Sequence, residues 1–67
     1  MTERERIGRR IAELRESKGL SQIELSDKAG IKQPNLSRIE SGKYSTNIDL
    51  IAKIAEALNC MVEVNPM

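Results

Sequence analysis

Glycines at positions 19, 30 and 42 each close a run of residues whose apolar side chains repeat at helical spacing. Glycine reaches left-handed backbone angles at little cost, so it ends a helix and turns the chain. Ile7, Ile11 and Leu14 step by four and three along the first run, one face of a helix expected from Glu3 to Lys18. Ser21-Gln22-Ile23-Glu24 has the form of a capping box, in which serine accepts from the backbone three residues on and glutamate reaches back. The second helix therefore runs from Gln22 to Ala29, with Leu25 and Ala29 on its inner side.

The third helix is expected from Gln33 to Ser41, with Leu36 and Ile39 inward. Pro34 sits in its first turn, where a missing N–H costs nothing. Asn47 is a fitting N-cap for a fourth helix. That helix bears Ile48, Leu50, Ile51, Ile54, Ala55 and Leu58 as a wide apolar stripe and stops at Asn59. The fold class is all-α: four helices, with room for a fifth, in one domain over residues 1–59. The tail, 60–67, differs. Cys60, Val62 and Val64 alternate with Met61, Glu63 and Asn65, and Pro66 stops the pattern. A lone strand leaves its backbone groups unpaired, so the expected partner is the same strand from a second copy. A merely packed tail is the alternative.

Composition excludes much chemistry. The 67 residues contain no His, Trp or Phe, one Tyr and one Cys. One chain can then assemble neither an ordinary zinc site nor a histidine-based catalytic pair, and no internal disulfide. No apolar run approaches the ~18 residues of a membrane span. Met1-Thr2-Glu3-Arg4 does not open a signal peptide, and the expected location is cytoplasmic. No glycine-rich phosphate loop and no isolated carboxylate pair is evident, so no enzyme activity and no cofactor is expected. Net charge is +1, but it is polarised: +2 over residues 1–20, −1 over 21–31, +2 over 32–43 and −2 over 44–67. Such polarity can steer an anionic partner, but charge alone favours an ordinary solvated surface.

Residues 22–41 carry the functional signal. Apolar positions account for one side of the third helix and leave Gln33, Pro34, Ser37, Arg38 and Ser41 on the other. That side is rich in hydrogen-bonding groups and nearly free of hydrophobes. The runs Leu20-Ser21-Gln22-Ile23-Glu24-Leu25-Ser26, Ala29-Gly30-Ile31 and Leu36-Ser37-Arg38-Ile39-Glu40-Ser41-Gly42-Lys43 resemble the phage-repressor and Cro (Xre) type of helix-turn-helix. Leu50–Leu58 resembles that family's following helix, so the resemblance spans about residues 5–59.

The resemblance implies that the third helix enters the DNA major groove. Gln33 would read bases, a Gln amide being matched to adenine N6 and N7. Arg38 suits guanine or a phosphate, Ser37 discriminates weakly, and Lys32 reaches either a base or a phosphate. Pro34 departs from the family's usual polar residue and offers only apolar contact. Gln22, at a helix N-terminus, would clamp a phosphate and support Gln33. Asn35, Ser41, Lys43, Tyr44, Ser45 and Thr46 would line the backbone flank, with Thr46 standing where the family often has proline. Arg15 and Glu40 would form a structural pair, so that Glu40→Ala is expected to lower stability more than to alter sequence preference. The implied partners are double-stranded DNA and a second copy. The implied role is a transcriptional regulator, most simply a repressor acting as a homodimer on a palindromic operator. An antitoxin with a protein toxin partner is the alternative.

Overall fold

A computed structural model describes residues 2–43 and 47–59. Four helices fill them: α1 (Glu3–Ser17), α2 (Gln22–Ala29), α3 (Gln33–Ser41) and α4 (Ile48–Ala57). No strand occurs among the described residues. The expected strand at Cys60, Val62 and Val64 lies outside them.

The helix ends follow local chemistry. Ser21 caps α2: its Oγ accepts from the Glu24 N–H at 3.0 Å, and Glu24 Oε1 accepts from the Ser21 N–H at 2.8 Å. Thr2 and Glu5 form the same reciprocal box at the start of α1. Asn47 Oδ1 accepts from the Leu50 N–H at 2.9 Å and starts α4. At the other end, the α2-to-α3 turn runs through Gly30 at φ 73°. There the Ile31 N–H reaches the Ser26 carbonyl and the Gly30 N–H the Asp27 carbonyl. This doubly bonded ending satisfies carbonyls that the helix leaves open, and it drops Ile31 onto the core. α1 stops one residue short of expectation, at Ser17, because Lys18 already begins the turn.

Leu25, Leu36, Ile39, Ile54 and Leu58 are fully buried, joined by Ile11 and Ala29. Ile7, Leu14, Leu20, Leu50 and Ala57 pack around them. α1 packs on α3, and α2 packs on both α3 and α4. Ser26 is buried beside this seam and disposes of its hydroxyl by donating to the Ile23 carbonyl at 2.9 Å. α4 uses less of its stripe than the sequence suggested. Ile54 and Leu58 are buried, but Ile51 and Ala55 are half-buried and Ile48 is 67% exposed.

α1 and α3 meet backbone to backbone. A Cβ on Gly8 would overlap the Ile39 carbonyl oxygen and lie 2.9 Å from that of Glu40. A Cβ on Gly42 would lie 2.7 Å from Glu5 Cγ. α1 thus clamps the C-terminal half of α3 and fixes its pose.

Candidate nucleic-acid interface

α3 divides its nine residues by helical period. Leu36 and Ile39 face the core, while Pro34, Arg38 and Ser41 are exposed on the opposite side. Gln33 and Ser37 are half-buried along one edge of that outer face, and Asn35 along the other. Lys32, the exposed N-cap residue, has extended backbone and makes no side-chain cap bond. Lys43 follows Gly42 and is exposed.

A chain of side-chain hydrogen bonds runs behind this face. Arg15 Nε donates to Glu40 Oε2 at 2.7 Å, and Arg15 Nη2 donates to Glu40 Oε1 at 3.1 Å. The pair is nearly enclosed, its side chains 12% and 6% exposed. Arg15 Nη1 also donates to the Leu20 carbonyl at 2.8 Å, tying the pair to the α1–α2 turn. The hydrogen bond that Arg15 donates to Glu40 raises the Arg15 pKa above its ordinary value, with burial opposing. Gln22 Nε2 then donates to Glu40 Oε1 at 2.9 Å, and Gln33 Nε2 donates to Gln22 Oε1 at 2.8 Å. Gln22 therefore braces Gln33, as the resemblance implied. The link from Gln22 back to Glu40 was not expected. No spacing rule signals it, because Gln22 and Glu40 lie 18 positions apart.

Charge is distributed unevenly over the surface. In α1, Arg6 pairs with Glu3, Arg10 lies 3.6 Å from Glu13, and Arg15 is held by Glu40. The Glu3 carboxyl is held below its usual range, first by the hydrogen bond from Arg6. Much of the positive charge of α1 is thus answered within the protein. Lys32, Arg38 and Lys43 make no ion pair among the described residues. Ser41 is less free than its exposure suggests, since its hydroxyl donates to the Arg38 carbonyl at 2.9 Å. It keeps acceptor capacity but has no proton to offer a phosphate while that bond stands. Tyr44, Ser45 and Thr46 lie outside the described residues, as do the seam candidates Cys60, Val62 and Val64.

Two short helices at a glycine turn, the second with a polar outward face, are the geometry of a helix-turn-helix. The family model described as "Helix-turn-helix" matches residues 11–63. The chain belongs to the Xre/Cro-type helix-turn-helix family. The Xre/Cro-type chain is 37% identical over 54 residues to an uncharacterised HTH-type transcriptional regulator of Archaeoglobus fulgidus, covering 81% of this chain and 77% of that one. It is 34% identical over 58 residues to an uncharacterised HTH-type transcriptional regulator of Sinorhizobium fredii, covering 87% and 75%. Among solved structures it superposes on the restriction-modification controller protein C.AhdI of Aeromonas hydrophila with a TM-score of 0.84 at 33% identity, covering 87% of this chain and 88% of that one. It superposes on the clp gene regulator ClgR of Corynebacterium glutamicum with a TM-score of 0.85 at 29% identity, covering 88% and 76%. This Xre/Cro-type protein is accordingly a DNA-binding helix-turn-helix transcription regulator. No described helix is long and apolar enough to cross a membrane.

Proposed function

We propose that this regulator is a sequence-specific repressor that binds double-stranded DNA as a homodimer, with α3 in the major groove of each half of a palindromic operator. The observation that carries the reading is the outer face of α3. It spends no residue on the core, exposes Pro34, Arg38 and Ser41, and borders Gln33, whose amide is braced from behind. In this reading Lys32, Gln33, Pro34, Ser37 and Arg38 face base edges. Gln22, Asn35 and Lys43 meet the phosphates directly and Ser41 only through an intermediary, with Tyr44, Ser45 and Thr46 continuing that flank. Ser41 serves there as an acceptor toward a water or a lysine, given the bond its hydroxyl already makes. Lys32, Arg38 and Lys43, which make no ion pair among the described residues, supply charge that draws the duplex in.

α4 supports association of two copies. Ile48, Ile51 and Ala55 follow at steps of three and four and form an apolar stripe beside the one turned to the core. A second copy laid antiparallel along it sets the large Ile48 against the small Ala55 at both ends. Cys60, Val62 and Val64 extend the same seam as paired strands. Two copies so joined read half-sites about one turn, ~10 bp, apart on one face of the duplex. The antitoxin alternative draws no support from the relatives named above, which are described as regulators or a controller protein.

Selection of bound duplexes from a random pool tests the reading. A palindromic consensus with affinity falling steeply with salt is the expected result. Recovery of no consensus, or of one lacking two-fold symmetry, defeats it.

A further inference from the structure

We propose that Glu40 is a specificity-determining positioning residue: through Gln22 it sets which way round the Gln33 amide faces the DNA. The inference rests on the reading of α3 as the base-reading helix.

The argument is one of donors and acceptors. An amide side chain has an NH2 that only donates and an oxygen that only accepts, and the two ends differ little in shape. What surrounds an amide therefore decides which end points where. Here the order begins at Arg15, which can only donate. Both its Nε and its Nη2 bond Glu40, and an ionised carboxylate can only accept. Gln22 must then turn its NH2 toward Glu40 Oε1, where the contact is 2.9 Å. That leaves Gln22 Oε1 facing Gln33, so Gln33 must turn its NH2 inward, where the contact is 2.8 Å. Each step is the only one that avoids opposing two like groups. The polarity of Arg15 is thereby passed through three side chains to the edge of α3.

The consequence lies in what Gln33 has left. One N–H is spent on Gln22; the other N–H and the carbonyl oxygen remain. A donor beside an acceptor matches adenine, which presents N7 as acceptor and N6 as donor. It mismatches guanine, whose O6 and N7 both accept, because the Gln33 oxygen would face O6. Reversal of the relay would turn both N–H groups of Gln33 outward and favour guanine. Glu40→Gln supplies that reversal. Its amide oxygen would answer Arg15 Nε, its NH2, in the place of Oε1, would face Gln22 and forgo the bond from Arg15 Nη2, and both glutamines would turn over in sequence. Glu40 touches no base in this arrangement and acts only through Gln22 and Gln33.

The experiment uses the full chain and the duplex consensus selected by the wild type. Gln33→Ala first identifies the base pair that Gln33 reads, as the one position where preference is lost. Competition binding at fixed salt then compares the A·T duplex with its G·C counterpart at that pair. The wild type should favour adenine by about tenfold or more, the range of one bidentate contact. Glu40→Gln should lose that ratio or turn it toward guanine. Gln22→Leu, which breaks the relay and leaves the Arg15–Glu40 pair alone, should bring it to within about twofold, since Gln33 is then free to turn either end of its amide outward. Ratios at pairs read by other residues should stay at wild-type values, which a general loss of stability would not produce. Circular dichroism establishes that each variant is folded, and Gln22→Leu serves should Glu40→Gln fail to fold. A wild-type preference for guanine at that pair overturns the proposal, as do folded variants that retain the wild-type ratio. Failure of the wild type to select any consensus is a different result: it removes the DNA-reading assignment itself.

Discussion

Gly8 lies directly against the carbonyl of Ile39, so that α1 and α3 touch through their backbones where they cross. Helix propensity favours alanine over glycine by about 1 kcal/mol at an ordinary helical position. At Gly8 the new methyl would overlap the Ile39 oxygen and crowd that of Glu40, neither of which can swing aside. Gly8→Ala should therefore destabilise the domain by about 1–3 kcal/mol, the usual cost of overpacking. For a domain this small each kcal/mol lowers Tm by about 4–8 °C. Thermal unfolding of the variant decides the matter, and an unchanged or higher Tm would contradict the packing described.

Glu40→Ala leaves the guanidinium of Arg15, 12% exposed, with only the exposed Glu16 carboxylate 3.6 Å away. Losing one partner of an enclosed pair costs on the order of 3–5 kcal/mol, much of it from the poorly compensated charge. Urea titration should show a lower midpoint with little change in slope. The double variant Arg15→Met, Glu40→Leu should recover most of that loss, because it strands no charge. If the single and double variants are equally unstable, the pair's role is packing rather than charge.

Gln33→Ala and Lys43→Ala should fail in different ways. The first should relax preference at one base pair and cost about 1–3 kcal/mol on the consensus. The second should weaken all duplexes alike and reduce the slope of log affinity against log salt by about one. Binding measured over a salt series on consensus and scrambled duplexes separates the two. The same pattern for both variants would remove the division into base and phosphate contacts.

Ile48→Lys, placed on the exposed stripe of α4, should convert a dimer to a monomer while leaving the helical circular dichroism intact. A chain ended at Asn59 should remain dimeric if α4 is the main seam and become monomeric if the tail is. Sedimentation equilibrium of the two variants assigns the interface. Persistence of the dimer in both would place it elsewhere.

The bounds of α2 and α3 were legible because their signals are local: Ser21 with Glu24, Pro34 in a first turn, and Gly30 and Gly42 beyond the ends. Thr2 with Glu5 obeys the same rule and was equally available as the cap of α1. Gly8 was not legible, because its need for a bare Cα arises only where α1 crosses residues 39 and 40. The stripe on α4 announced a helix but not its partners; periodicity cannot tell a side turned to the core, as at Ile54, from one left open, as at Ile48. In the site, resemblance led to the bracing of Gln33 by Gln22 and to the Arg15–Glu40 pair. The bond joining those two pairs depends on where α2 and α3 cross, and it emerged only in three dimensions.

Pro34, Arg38 and Ser41 stand clear of the core, and α1 grips α3 by its backbone from behind. Substitutions on that stripe can therefore accumulate without loosening the domain. On the proposed reading, a lineage carrying this scaffold is free to drift from one target site to another through Pro34 and Arg38, whereas what Gln33 reads stays tied to residues as distant as Arg15.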